Sequence, residues 1–212
     1  MTETALPKKD RNSNIELLRI FMMLVIILHH YIVNSGVIQC VDSIVTSRGG
    51  GTAKLLNSTY GTDGSGFGNI IVKNRAARSL KLTGKEDTDE QGNIRRDDYF
   101  YMNGESIFNF TIGRVPKLIE EILAKNNLQK DDIDYYVFHQ ANKFMLNTIR
   151  KICGIPKEKF YINLENTGNT TSSSIPIGLK DAIESGLIKE GNKVMIAGFG
   201  VGESWAGTVL QF

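Results

Sequence analysis

The stretch that decides the fold is Ile133 to Asn142, IDYYVFHQAN, together with Glu165 to Thr171, ENTGNTT. Tyr135, Tyr136, Val137 and Phe138 form a short run of β-branched and aromatic residues, the pattern of a buried strand. The run ends on His139, and the spacing of Phe144, Ile149 and Ile152 predicts an amphipathic helix over residues 140–152. A histidine at the carboxyl end of a strand, opening a helix, stands where α/β folds place their chemistry. For a lone histidine, a satisfied core residue is the commoner explanation.

Two more stretches shift the balance. In GNTTSSSIPIGLKDAI, residues 168–183, the Gly168-Asn169 pair and the hydroxyls of Thr170 to Ser174 read as a loop feeding a helix N-terminus. In MIAGFGVGESWAG, residues 195–207, an apolar strand meets a glycine-rich turn and a returning strand, and such a turn lets backbone N–H groups approach a ligand.

Taken together, HQAN at 139–142, TGNTTSSSIP at 167–176 and GFGVGESW at 198–205 resemble β-ketoacyl-acyl-carrier-protein synthase III, a thiolase-fold condensing enzyme. The likeness continues through Met102-Asn103-Gly104 and GTDGSG at 61–66, and covers residues 51–212 in register. It implies an α/β, thiolase-like fold, the C-terminal half of a duplicated architecture, with a mixed sheet and helices on its faces.

The family joins an acyl-thioester primer to a malonyl thioester, using a Cys nucleophile, a His and an Asn. Decarboxylation leaves an enolate oxygen that needs preorganised hydrogen-bond donors. A neutral imidazole N–H and an amide NH₂ can both donate without a proton changing hands. By position, the resemblance assigns these catalytic roles to His139 and Asn169. The turn Gly200-Val201-Gly202 is expected to supply a backbone donor to an oxyanion hole. Gln140, Asn142 and Gly104 are expected at the substrate, Asn142 on the phosphopantetheine arm and Gln140 orienting backbone near His139. Lys143, Arg150 and Lys151 would form a basic edge toward the acidic acyl carrier protein, with a solvated helix face as the equal alternative. The implied substrates are coenzyme A or phosphopantetheine thioesters, with no covalently bound cofactor and no metal. The implied partners are acyl carrier protein, acyl-coenzyme A and a second copy in a homodimer, in the cytoplasm.

The composition agrees with an ordinary folded domain. The chain has 212 residues, 41% of them apolar, and 25 basic against 23 acidic residues give a net charge of +2. The basic residues are interleaved with acids, so no nucleic-acid footprint is expected. Cys40 and Cys153 form no CxxC arrangement, so neither a disulfide framework nor a zinc site is indicated.

The N-terminus reads differently. Residues 1–14 are a polar tail. IELLRIFMMLVIILHHYIV, Ile15 to Val33, reads as an apolar helix, which would be about 28 Å long at ~1.5 Å per residue, close to the hydrocarbon thickness. RNSNIELLRIFMMLVIILHHYIVNSG, residues 11–36, resembles the first transmembrane helix of the integral-membrane acyltransferases that O-acetylate surface polysaccharides. That likeness would give His29 or His30 a part in acyl transfer. With Lys8, Lys9 and Arg11 before the span, insertion would put everything after residue 34 outside the cytosol, away from carrier-bound thioesters. The expectation is therefore either membrane association through residues 15–33 or a helix that does not insert.

The expected organisation runs from this helix (15–34) through a join (35–51) and a remnant of the synthase middle region (52–102) to the C-terminal domain (103–212). Within 52–102, short strands are expected at Thr52 to Asn57 and Asn69 to Lys73, and a charged surface loop over residues 73–98. Asn103 to Asn126 reads as one long helix, with Pro116 as a kink site.

The family's nucleophile has no counterpart in its expected setting. Cys40, in VIQCVDSIV, lacks the small-residue elbow, and Cys153 ends the helix after His139, where a buried structural thiol fits better. Without a thiolate no acyl-enzyme forms, so full condensation is not expected and malonyl-thioester decarboxylation is what the remaining residues could do. A lone half of a two-half fold also predicts a bare apolar surface, hence poor solubility or a need for a partner.

Overall fold

The computed structural model describes residues 53–74, 84–88 and 92–212. Its centre is one mixed sheet. The strands are β1 (Lys54–Leu55), β2 (Thr59–Thr62), β7 (Tyr135–Phe138), β8 (Phe160–Tyr161), β9 (Lys193–Gly200) and β10 (Ser204–Gln211). The spatial order is β1-β10-β9-β7-β8, with β2 also on β10. β7 runs parallel to β8 and β9, whereas β9 and β10 form the antiparallel hairpin that the glycine-rich turn predicted.

Two helices cover one face. α1 (Gly104–Lys125) starts where the Asn103 side chain accepts a hydrogen bond from the Ser106 N–H. Val115, Leu118, Ile119 and Ile122 recur at three- and four-residue spacing and are fully buried against the sheet. Pro116 lies within this helix, as the sequence indicated. α2 (Lys143–Ile152) packs beside it through Met145, Leu146 and Ile149. α3 (Ser174–Glu184) covers the opposite face, where Leu179 and Ala182 meet Val137, Val194 and Leu210. The buried run of β7 is thus sandwiched, which is why it reads as continuously apolar.

Three expectations need correction. The helix after His139 begins at Lys143, because Asn142 is extended (φ −161°) and its side chain accepts from the Met145 N–H, ending the irregular segment. Phe144 (71% exposed) and Ile152 (53% exposed) lie off the buried face, which is formed by Met145, Leu146 and Ile149. The charged segment 73–98 contains a hairpin, β4 (Glu86–Thr88) with β5 (Ile94–Arg96), and it closes on two buried carboxylates, Asp97 and Asp98. Arg96 grips Asp98 through two nitrogens at 3.0 and 3.2 Å. A second two-stranded unit, β3 (Ile70–Val72) with β6 (Phe100–Met102), leads into α1.

The expected apolar helix at 15–34, its membrane span, His29, His30 and Cys40 all lie outside the described residues. Among the described residues no helix is long and apolar enough to cross a membrane.

Candidate active site

The site is built at the carboxyl end of β7. His139 continues the sheet by donating its backbone N–H to the Ala197 carbonyl of β9, at 2.8 Å. Its ring stands edge-on to Phe199, with centroids 5.5 Å apart. Its Nδ1 lies 2.9 Å from the Ser174 Oγ, at the start of α3. Burial holds the imidazole below its usual pKa, and a backbone contact with Thr171 works against that shift. The ring is therefore predominantly neutral at pH 7.

Asn169 sits in the loop before α3 and is exposed. Its Oδ1 accepts the Thr171 N–H at 2.9 Å, an Asx turn that leaves the Nδ2 donors for other partners. Thr171 is held in the left-handed region at φ 55°. Its N–H holds Asn169, and its carbonyl lies 2.8 Å from the Ser174 Oγ that contacts the His139 ring. His139 and Asn169, thirty positions apart in sequence, are linked through Ser174 and Thr171.

The other expected residues divide. Gln140 is 1% exposed, and its amide is spent on backbone: Nε2 donates to the carbonyls of Phe138 (2.7 Å) and Tyr161 (3.4 Å), while Oε1 accepts the Asn163 N–H (2.9 Å). It braces the β7 end against the segment after β8. Asn142 caps α2 through its Oδ1 and is exposed. Gly104 opens α1, with no neighbour within 4 Å of where a Cβ would stand. Gly200 ends β9, Val201 is 58% exposed, and Gly202 adopts φ +124°, a conformation few side-chain-bearing residues tolerate. Phe199, packed on His139, brings this turn to the edge of the site.

Of the basic edge, Lys143 pairs with Glu165 at 3.6 Å on the open surface, and Lys151 is exposed. Arg150 is partly buried and donates to the Ile155 carbonyl at 3.1 Å. Lys143 and Arg150 line a cleft of about 490 Å³ between α2 and β8, with Lys157 and Glu158, and this cleft includes neither His139 nor Asn169. Cys153 is buried, and burial pushes its thiol up to about 11, so it is no nucleophile at neutral pH. Sequence reasoning missed Ser174 and Thr171 as site residues. The hydroxyl run at 170–174 was the signal, and it reads equally well as a plain helix start.

Comparison with known proteins gives this arrangement a kinship. Residues 123–212 match the family described as 3-oxoacyl-[acyl-carrier-protein] synthase III C terminal. This chain carries the C-terminal half of a synthase III fold. It is 36% identical over 158 residues to the β-ketoacyl-[acyl-carrier-protein] synthase III of Synechocystis sp., covering 74% of this chain and 46% of the relative. With the Clostridium tetani synthase III it shares 35% identity over 162 residues, 74% and 47% of the two chains. A crystal structure of a 3-oxoacyl-(acyl-carrier-protein) synthase III superposes with a TM-score of 0.71 at 39% identity, covering 75% of this chain and 48% of that one. The Thermus thermophilus synthase III gives 0.63 at 29% identity, covering 79% and 48%. The fold is thiolase-like, as the sequence implied. The chain spans just under half the length of the curated relatives it matches.

Proposed function

We propose that this chain carries the decarboxylating half of a synthase III-type acyltransferase site, acting on malonyl thioesters of acyl carrier protein or coenzyme A. What supports the reading is that Thr171 bonds Asn169 through its N–H while its carbonyl approaches the Ser174 Oγ that contacts the His139 Nδ1. In the reaction, the bond between the malonyl α carbon and its carboxylate breaks and CO₂ leaves. The electron pair moves into the thioester as an enolate. His139 and the Asn169 amide hydrogen-bond the enolate oxygen, and a proton from water completes an acetyl thioester.

Full condensation needs a thiolate to carry the primer. Cys153, the cysteine among the described residues, is buried and protonated, so decarboxylation without condensation is the expected activity. Lys143 and Lys151 offer the carrier a modest basic edge.

Release of labelled CO₂ from malonyl-coenzyme A and malonyl-carrier tests the proposal. His139→Ala and Asn169→Ala should each lower the rate by roughly 10²-fold, the usual loss for one oxyanion donor. Rates equal to the parent chain's in both variants would refute the catalytic reading and leave a noncatalytic module that binds carrier or coenzyme A.

A further inference from the structure

Glu203 puts a carboxylate where an apolar side chain would be buried at less cost. It follows the turn Gly200-Val201-Gly202 and is 8% exposed. Its backbone exchanges two hydrogen bonds with Asp63, at 2.7 and 2.8 Å, which carries the β2–β10 ladder one pair beyond Thr62 and Ser204. Its Oε1 accepts from Nδ2 of Asn69 at 2.7 Å. The carboxyl group lies on Gly66, where a Cβ would stand 2.3 Å from Cδ and 2.6 Å from Oε1, so only glycine lets it seat there. The nearby Asp63 carboxylate does not compete for Asn69, because its Oδ1 accepts from the Ser65 N–H at 2.9 Å and the Ser65 hydroxyl at 2.7 Å. Asn69 is fixed from its other side as well. Its carbonyl accepts the backbone N–H of Asn103 at 2.8 Å, and the Asn103 side chain caps α1. One residue thus joins the end of the glycine-rich turn to the start of α1.

A packed aliphatic side chain fills space without setting a direction, whereas a buried, hydrogen-bonded carboxylate holds one geometry. The turn has little else to hold it. Two of its three residues are glycines, Gly202 sits at φ +124°, and the Val201 side chain is 58% exposed. Phe199, directly before the turn, packs edge-on against the His139 ring. We propose that Glu203 is a positioning residue whose bond to Asn69 holds the turn at 200–202, and Phe199 with it, in place beside His139. The inference rests on the decarboxylase reading for its kinetic consequence, but not for its structural one.

Exchanging donor and acceptor in the full chain tests this. Asn69→Asp removes the donor and sets two carboxylates face to face. Adding Glu203→Gln restores the bond in reverse, the introduced amide donating to the introduced carboxylate. In backbone nitrogen-15 relaxation, Val201 and Gly202 should have order parameters of about 0.85 in the parent chain, fall below about 0.6 in Asn69→Asp, and recover in the double variant. Val194 and Met195, in the middle of the sheet, should keep their values in all three. In malonyl-coenzyme A decarboxylation, Asn69→Asp should lower kcat by roughly tenfold or more at unchanged KM, since a small misplacement at a site has effects of that size. The double variant should regain most of the loss. Should Asn69→Asp fail to fold, Gly66→Ala pushes the carboxyl group off its seat without altering a charge and should give the same loss of order at the turn. A turn as ordered in the single variant as in the parent, or a double variant no better than the single one, would overturn the proposal. A lower melting temperature with turn order and kcat both unchanged would overturn it too, leaving Glu203 a purely structural residue. The predicted pattern of order without CO₂ release from any form would refute the decarboxylase reading alone.

Discussion

Residues 103–212 and residues 53–102 are built on opposite terms. In the C-terminal part, β7 and β9 lie at the centre of the sheet with helices on both faces, and Tyr136, Val137, Phe138, Val194 and Met195 are all buried. In the preceding part the strands are two to four residues long and sit on edges or in separate two-stranded units. There Leu55, Tyr60, Phe67, Phe100 and Met102 are each more than half exposed. Apart from Phe144, Ile152 and Val201, the first region buries its large apolar residues within the chain, whereas the second holds several out. The difference teaches where stability resides.

The contrast is broken most directly at Phe138, which is fully buried and makes edge contacts with Phe160 and Tyr136. Phe138→Ala should cost roughly 3–5 kcal/mol in denaturant unfolding. A loss below about 1 kcal/mol would mean that the central sheet is not the stabilising unit.

A pH scan sharpens the same point. Burial pushes Cys153 up to about 11 from an ordinary 9.0, and Tyr136 up to about 12 from 10.0. Above pH 9 the unfolded chain gives up the thiol proton while the folded chain retains it, so stability falls from pH 9 to about 11. The two-unit difference corresponds to roughly 2–3 kcal/mol. In thermal melts Cys153→Ala should lose the part of the decline that begins near pH 9 and keep the later part due to Tyr136. A decline of unchanged onset would contradict the burial.

At the start of α2, Asn142→Ala removes a side-chain cap on the Met145 N–H and should cost about 1 kcal/mol. Phe100→Ser, on the exposed pair β3–β6, should stay within about 0.5 kcal/mol and raise solubility. A penalty comparable to that of Phe138→Ala would erase the distinction between the two regions.

How far the sequence could be read follows the same division. The strand at 135–138 was legible because a centrally buried strand is apolar on both faces and declares itself locally. The hairpin at 193–211 was legible from its glycine-rich turn. The start of α2 was not, since HQAN has no periodicity and the boundary depends on the Asn142 side chain turning back to one amide. Strand β2 escaped notice because TYGT is short and half-polar. Gly61 is required there because the Trp205 indole, its register partner on β10, lies 2.5 Å from where a Cβ would stand. At the site, His139 and Asn169 were readable through resemblance. Ser174 was not, because its contact with Nδ1 is made across thirty-five positions and only the folded chain creates it.

The account's central claim is that the His139 ring and the Asn169 amide meet at one oxygen. A crystal structure of the chain with a non-hydrolysable malonyl thioester analogue tests this most directly. The thioester carbonyl oxygen should lie about 3 Å from both Nε2 of His139 and Nδ2 of Asn169. An analogue bound elsewhere, or one whose oxygen reaches only one of the two groups, would contradict it.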